Sequence, residues 1–556
     1  MNASAGMPSQ SPYTLIDQLL AEQQRLTAVE KFAQKHERAD FFPAQSRYYE
    51  DLIPLSRPAP GQQYAFAVNL DKCTGCKACV SACHSLNGLE ESETWRDVGF
   101  LVGGHRGNAY QQTVTTACHH CLEPGCLEGC PVMAYDKDSE TGIVRHLDDQ
   151  CIGCQYCTMK CPYDVPKYSK RLGIVRKCDM CHDRLAVVEA PACVQACPHE
   201  AITIRLADVA ETLSAATPNS QLLPGAFDSS YTKPTTLYTT AKKMPVDTRP
   251  ADAYALRLEH AHWPLIVMLV LSQMAAGLST ALAVGSLFFP PFFSVAGLPI
   301  AVGGFALLNI GLIAAVFHLG RPLGAWRFFL GLRTSWMSRE ILAFSIFAAA
   351  AGFAILPAFL FHPLAERLIP TSLHFLLAPL PVPLLASVAS VVAAVLGLLA
   401  VFTSAMIYID THRSLWRAAL VFPRFYGATF ALGAVATTVV VSWLALPAAV
   451  RVASAVTLAI HSMAFAWEMS RFSDALSDSD DPTHWSAQTL HQLLPWFVPV
   501  RGLLFIASLS LLFVTFSGAA PEFCATAAGV LILAAQTLER FGFFTTVIAP
   551  RMPRGI

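Results

Sequence analysis

The sequence predicts two architectures in one chain: a small cysteine-rich α+β domain, then an all-α bundle of eight transmembrane helices. Two observations carry this. Sixteen of the seventeen cysteines fall between Cys73 and Cys197, in four runs of four. Charge is just as unevenly placed: residues 1–250 hold 24 Lys and Arg against 28 Asp and Glu, residues 251–556 hold 15 against 12, and no lysine follows Lys243. A chain of 556 residues, 53% hydrophobic and 14% charged, thus divides into a soluble first half and a membrane-embedded second half. The net charge of −1 gives no reason to expect a nucleic-acid partner.

The first run is Cys73, Cys76, Cys79 and Cys83, and the second is Cys118, Cys121, Cys126 and Cys130. The third is Cys151, Cys154, Cys157 and Cys161, and the fourth is Cys178, Cys181, Cys193 and Cys197. Each closes on a C-x3-C step, followed by proline in three cases (Pro131, Pro162, Pro198). This is the pattern of bacterial two-cluster ferredoxins, in which the fourth cysteine ligates the other cluster. Three closely spaced thiolates wrap one face of a cubane, and the fourth lies too far along to reach it. Sixteen thiolates therefore imply four [4Fe–4S] clusters in a double ferredoxin-like iron–sulfur domain. A disulfide framework suits short secreted chains, and none of the marks of a signal peptide precedes this one. Structural zinc uses C-x2-C pairs, seldom four tetrads with C-x3-C-P endings. Cys524, alone in an apolar segment, reads as a core residue.

In chain order, residues 1–62 form an N-terminal segment with no charged, apolar or twin-arginine leader. Within it, Ile16, Leu19, Leu20, Leu26, Val29 and Phe32 recur at helical spacing over Thr14 to His36, and Thr27-x-x-Glu30 fits a capping box. Docking onto a partner and packing onto its own domain fit this helix equally well. Residues 63–205 are the cluster domain. Strand-like pieces precede or close its runs: YAFAVNL, GIVRHL, GIVRKC and AITIRL. Residues 206–262 are a Pro- and Thr-rich connector, expected to lie extended over that domain. Residues 263–556 carry eight apolar stretches near 263–288, 296–317, 340–361, 384–408, 425–446, 450–469, 496–517 and 523–546. Residues 361–382 are expected to lie at the interface.

An even number of spans returns the C-terminus to the N-terminal side. Loops on that side carry Arg321, Arg327, Arg333, Arg339, Arg413, Arg417, Arg424 and Arg471, and the tail adds Arg551 and Arg554, against Arg367 and Arg451 opposite. The positive-inside rule then sets the cluster domain in the cytoplasm, on the inner membrane. Polar residues gather on the same face: His318, Arg321, Trp336, Ser338, Arg339, Glu340, Asp410, His412, Arg413, Trp416 and Arg501. Singly, such residues are usually solvated anchors. Together around His318, with Arg321 and Glu340, they suit proton-coupled chemistry on a quinone, menaquinone or ubiquinone. Only His461 sits deep in a span, and without a facing histidine no haem is expected.

With both halves in view, the sequence resembles the dimethyl sulfoxide reductase family, as its four-cluster electron-transfer subunit fused to its eight-span, haem-free anchor. The marks are CTGCKACVSACHSLNG, CHHCLEPGCLEGCP, CIGCQYCTMKCP, KCDMC with PACVQACP, HWPL at Trp263, HLGRP at His318 and SWMSRE at Trp336. The resemblance implies that Cys73, Cys76 and Cys79 join Cys197, and that Cys178, Cys181 and Cys193 join Cys83. It likewise joins Cys118, Cys121 and Cys126 to Cys161, and Cys151, Cys154 and Cys157 to Cys130. It implies a separate molybdopterin-containing catalytic subunit facing the Cys73 cluster, and a membrane facing the Cys151 cluster. Some relatives carry tryptophan at the second position of the third run and a three-iron cluster; Cys154 here implies a full cubane. His318 matches the family's quinol-site histidine. Export-type members place their clusters outside by riding on a partner's twin-arginine signal, whereas the charge bias here points inward. Cytoplasm-facing sulfite dehydrogenases have similar subunits, which keeps that alternative open. A reading from another class, a redox-driven transporter component, needs ionisable residues deep in several spans, and the sequence offers little beyond His461 and Glu468.

Overall fold

The computed structural model describes residues 50–554, apart from residues 92, 106–108, 371–380 and 518–519, and isolated positions around Asp17. The helix expected over Thr14 to His36 thus lies largely outside the described residues. At its start the Thr14 hydroxyl donates to the Asp17 carboxylate (2.6 Å).

Among the described residues, ten short strands organise the first half: β1 (Gln62–Asn69), β2 (Asp97–Gly103), β3 (Tyr110–Thr116), β4 (Tyr135–Lys137), β5 (Val144–His146), β6 (Lys167–Ser169), β7 (Ile174–Arg176), β8 (Ile202–Asp208), β9 (Leu237–Thr239) and β10 (Arg249–Pro250). The cysteine runs follow β1, β3, β5 and β7 and lead into the short helices Ala78–Leu86, Gly125–Glu128, Tyr156–Lys160 and His182–Ala186; the strand-like pieces predict β1, β5, β7 and β8, whereas β3 is not among them. β1 pairs antiparallel with β8, from Gln62↔Asp208 to Val68↔Ile202, and parallel with β9. β2 is flanked by β3 and β10, while β4–β5 and β6–β7 are separate three-residue ladders. Ladders this short hold little by themselves, so the cysteine-lined cores must supply much of the order.

The connector differs from expectation. β8 continues to Asp208, so a boundary at residue 205 falls inside a strand. Asp208 then caps the helix Val209–Ala215 by accepting from the Glu211 N–H (3.0 Å). The connector returns β9 and β10 to the two larger sheets, where backbone pairing satisfies its polar groups better than an extended path across the surface.

Among the described residues, eight helices are long and apolar enough to cross a membrane. Spans one to four are Trp263–Phe288, Pro290–Val316, Trp336–Phe361 and Val382–Ile409; spans five to eight are Ala418–Trp443, Pro447–Ser477, Phe497–Ser517 and Pro521–Thr545. Span five starts seven residues before the expected 425, because the Arg424 charge is met inside the bundle by Glu539 of span eight (3.8 Å). Between spans three and four the described part includes the short helix Leu364–Leu368. After span eight the tail returns to the cluster domain. Met552 is buried in its core, Arg554 pairs with Asp97 (3.4 Å) and Asp164, and Arg551 pairs with Asp252 (2.8 Å). The C-terminal tail and the cluster domain therefore share one side, as an even count of spans requires.

The bundle holds more charge than its sequence advertises. Glu468 pairs with Arg501, and Glu539 with Arg540, whose guanidinium also donates to Gln273 of span one (3.0 Å) and covers the Phe425 ring (4.5 Å). Each carboxylate is matched to an arginine on the same or a neighbouring span, the form in which buried charge is tolerated. His461 is 2% exposed and packs on Phe505, with ring centroids 5.3 Å apart.

Candidate functional site

The backbone around the cysteines repeats one device. The second residue after each run's first cysteine has positive φ: Gly75 (76°), His120 (41°), Gly153 (69°) and Met180 (60°). So does the third residue after the cysteine of each C-P step: Met133 (52°), Asp164 (54°) and Glu200 (51°). Left-handed turns curl the backbone so that amides point at sulfur. The N–H groups of Gly153, Met180, Ala134 and Ala201 approach Cys151, Cys178, Cys130 and Cys197 Sγ at 3.4, 3.4, 3.2 and 3.3 Å. Such donors favour the thiolate.

The runs interleave in space. Cys73, Cys76 and Cys79 line a small cavity with Cys197, and Cys118, Cys121 and Cys126 line another with Cys161. Cys83 lies against Cys193 and Cys181, and Cys130 lies beside Cys151, Cys154 and Cys157. All seventeen thiols are free. Among the described residues, no three His, Cys, Asp or Glu side chains are placed to hold a single metal ion. Four thiols around a cage suit a cubane better than one zinc ion. Burial, the largest cause in each case, pushes the Cys83 thiol up to about 12 and those of Cys130, Cys161 and Cys181 up to about 11. Thiols held so high ionise at neutral pH only when a metal takes the proton's place.

The second and third runs sink into the anchor. Cys126, Cys130, Cys151, Cys154 and Cys157 share one continuous core with Ile266, Phe344, Tyr408, Trp416 and Phe544 of the membrane half. Gly320, in the loop after span two, makes this approach possible: a Cβ there would lie 2.1 Å from the Gly173 carbonyl oxygen, with Gly153 packed on the same spot. Ser335 and Ser338 donate to the carbonyls of Gly129 (2.7 Å) and Pro131 (3.3 Å). Asp410 receives Lys160 Nζ (2.7 Å) and the Tyr156 hydroxyl (3.2 Å), and Arg413 donates to the Thr158 carbonyl (3.3 Å). Much of the polar face seen in the sequence is thus a docking seam. Arg321 joins it: its guanidinium donates to the Asp148 carbonyl (2.9 Å) and its N–H to that of Ile152 (3.0 Å).

His318 is different. It is 9% exposed, its ring faces the Cys154 backbone carbonyl, and its Nε2 is buried with no hydrogen-bond partner. Burial pulls the imidazole down to about 4, so it is neutral at physiological pH, with the Cys154 carbonyl opposing the shift. The His262 ring lies 5.0 Å away, its Nδ1 also unpartnered, flanked by His260 (4.8 Å) and Phe544 (5.6 Å). His262 caps span one in the HWPL motif, which marked the place without marking its histidine as a site residue. Glu340 of span three faces Ser404 and Tyr408 of span four. His318 therefore presents an unused ring nitrogen beside the backbone of a third-run cysteine.

Comparison with known proteins agrees with both halves. Residues 258–546 match the DMSO reductase anchor subunit (DmsC) family, and residues 110–206 match a 4Fe–4S dicluster domain. The first half is 37% identical over 148 residues to the B subunit of the anaerobic dimethyl sulfoxide reductase of Escherichia coli, covering 25% of this sequence and 72% of that subunit. The B subunit of the Haemophilus influenzae enzyme is 35% identical over 150 residues, covering 25% and 73%. Hydrogenase-2 operon protein HybA of Escherichia coli O157:H7 is 35% identical over 156 residues, covering 23% of this sequence and 48% of its own length. The protein belongs to the dimethyl sulfoxide reductase anchor family, with an iron–sulfur electron-transfer domain fused ahead of a multi-pass membrane anchor.

Proposed function

We propose that the protein passes electrons between the membrane quinone pool and a separate molybdopterin-containing catalytic subunit through four [4Fe–4S] clusters. The clusters sit in the cages of Cys73, Cys76, Cys79 and Cys197; Cys178, Cys181, Cys193 and Cys83; Cys118, Cys121, Cys126 and Cys161; and Cys151, Cys154, Cys157 and Cys130. When bound, the clusters supply one-electron steps; the residues around them hold and orient the other reactant. The observation that carries the reading is His318, whose buried Nε2 is free while its ring faces the Cys154 backbone carbonyl. A quinone carbonyl or quinol hydroxyl at that nitrogen would satisfy it, next to the His262 ring, which itself packs on Phe544. Oxidising a quinol to quinone releases two electrons and two protons; we assign the proton exchange to Glu340, which faces Ser404 and Tyr408, and Arg321 positions the loop through its bond to the Asp148 carbonyl. The catalytic partner is inferred from the relatives, which are subunits of dimethyl sulfoxide reductases. The arginine-rich loops support a cytoplasmic face of the inner membrane for the cluster domain.

The decisive experiment is His318→Ala. With about sixteen iron atoms still bound per polypeptide and dithionite still reducing them, reduction by a quinol analogue should fall by at least about a hundredfold. Unchanged quinol kinetics would remove the pocket from His318. For sidedness, a C-terminal reporter active only outside the cytoplasm should stay dark, and a bright one reverses the orientation.

A further inference from the structure

Two buried cations in the cluster domain have no carboxylate partner. Arg96 and Lys177 are each 2% exposed, and among the described residues neither has an acidic group within ion-pair distance. Glu93, three residues before Arg96, is held by Arg176, and Asp179, two after Lys177, is held by His182 (3.1 Å). Lys177 Nζ donates to the carbonyls of Val144 and Cys178 (2.8 Å) and reaches Cys118 Sγ at 3.6 Å. Arg96 Nη1 donates to the Thr115 hydroxyl (3.2 Å), which itself touches Cys79 Sγ at 3.6 Å, and its Nη2 is buried without a partner. An uncompensated buried charge is strongly disfavoured, so each cation needs an anion that these side chains do not include.

Their positions say which anion. Arg96 faces Cys79 of one cage and Cys193, Cys178 and Cys83 of the next. Lys177 faces Cys178 on that second cage and Cys118 and Cys126 on a third, all of which act on it more strongly than Asp179, the carboxylate already held by His182. Each cation thus stands in a gap between adjacent cages. The remaining gap, towards the anchor, holds a neutral group: Tyr135, whose phenol faces Cys157, Cys126 and Cys130. His146, an imidazole beside Cys151, is paired with Asp148 (2.8 Å).

The geometry points to Arg96 and Lys177 as fixed cations that raise the reduction potentials of the clusters they border, three of the four, and leave the anchor-side cluster untouched. The inference rests on the four-cluster reading above. Reduction adds one electron, hence one negative charge, to a thiolate-bound cubane, and net charge and hydrogen bonding are among the terms that set its potential. A buried cation close by, poorly screened, stabilises the reduced form more than the oxidised one. Both residues act through the clusters without ligating them, so they are positioning residues for the electron path.

The test is an EPR-monitored redox titration of the full-length protein with its clusters, using dithionite and mediators and neither quinone nor partner. Lys177→Met should shift two midpoint potentials downward, and Arg96→Gln should also shift two. The cluster of Cys178, Cys181, Cys193 and Cys83 should move in both variants, and that of Cys151, Cys154, Cys157 and Cys130 in neither. Lys177→Arg and Arg96→Lys, which keep the charge, should restore the wild-type values. Unshifted potentials at full iron content would overturn the assignment, as would an equal shift of the anchor-side cluster. If Lys177→Met loses iron, retention of iron by Lys177→Arg supports the charge, whereas loss in both shows a steric role and overturns it. A wild-type preparation without four cubane signals would instead refute the four-cluster reading, a distinguishable result.

Discussion

The outer and inner ends of the cluster domain are built from the same cysteine pattern and end up in different surroundings. At the outer end Cys76 is exposed, Cys73 is half-buried, and the core is closed by β1, β8, the connector and the returning tail. At the inner end all of Cys130, Cys151, Cys154 and Cys157 are buried, in a core continuous with the membrane bundle. The difference gives the domain its direction. An end left open to water can meet another protein, whereas an end sealed by Trp416, Phe544 and Gly320 can exchange electrons only with something held in the anchor.

The contrast can be broken by steps of decreasing size. Removing iron with a chelator under reducing conditions should have the largest effect, unfolding the cluster domain, where β4–β5 and β6–β7 are only three-residue ladders, while the spans keep their helical circular dichroism. A domain that stays protease-resistant without iron would show that the strands suffice. Next is Asp410→Asn, which leaves the buried Lys160 ammonium without its anion. A destabilisation of the seam by about 3 kcal/mol is expected, at the lower end for a buried pair because the Asp410 side chain is 26% exposed. Urea-dependent release of the cluster domain by protease would measure it, and an unchanged midpoint would make Asp410 dispensable.

Gly320→Ala comes third. Its Cβ meets backbone at 2.1 Å, so the loop must shift, at about 2 kcal/mol. The expected signature is slower quinol-driven reduction with normal dithionite reduction; equal rates would mean that the loop relaxes freely. The smallest effect is expected from Arg327→Gln. It removes an exposed hydrogen bond to the Asp149 carbonyl (2.7 Å) and should move seam stability by no more than about 0.5 kcal/mol, and a larger loss would promote Arg327 to a main fastening.

The cage pattern was legible because ligand spacing is a local property. C-x2-C-x2-C fixes which three thiols share a face, and the strand before each run is visible as a short β-branched stretch. Of the four left-handed positions after the runs' first cysteines, two were marked by glycine (Gly75, Gly153), but His120 and Met180 adopt positive φ with nothing in their identity to announce it. The polar face was legible as a set but not as roles. Arg321, Arg327, Arg413, Arg551 and Arg554, counted as topological signals, all bond the cluster domain or its connector, because a seam between two units also collects arginine. His262 was missed because a histidine at a helix start has many uses until its ring is found 5.0 Å from another.

By itself, then, the sequence determined the cysteine tetrads, the eight spans and the even topology, because ligand spacing and hydrophobic length act over a few residues at a time. Only the tertiary structure decided which polar groups fasten the two units and which stay unpaired. It left His318 Nε2 free in the seam and enclosed Arg96 and Lys177 between cages. Partnership is a matter of distance in space: whether a buried donor is satisfied depends on atoms contributed from elsewhere in the molecule.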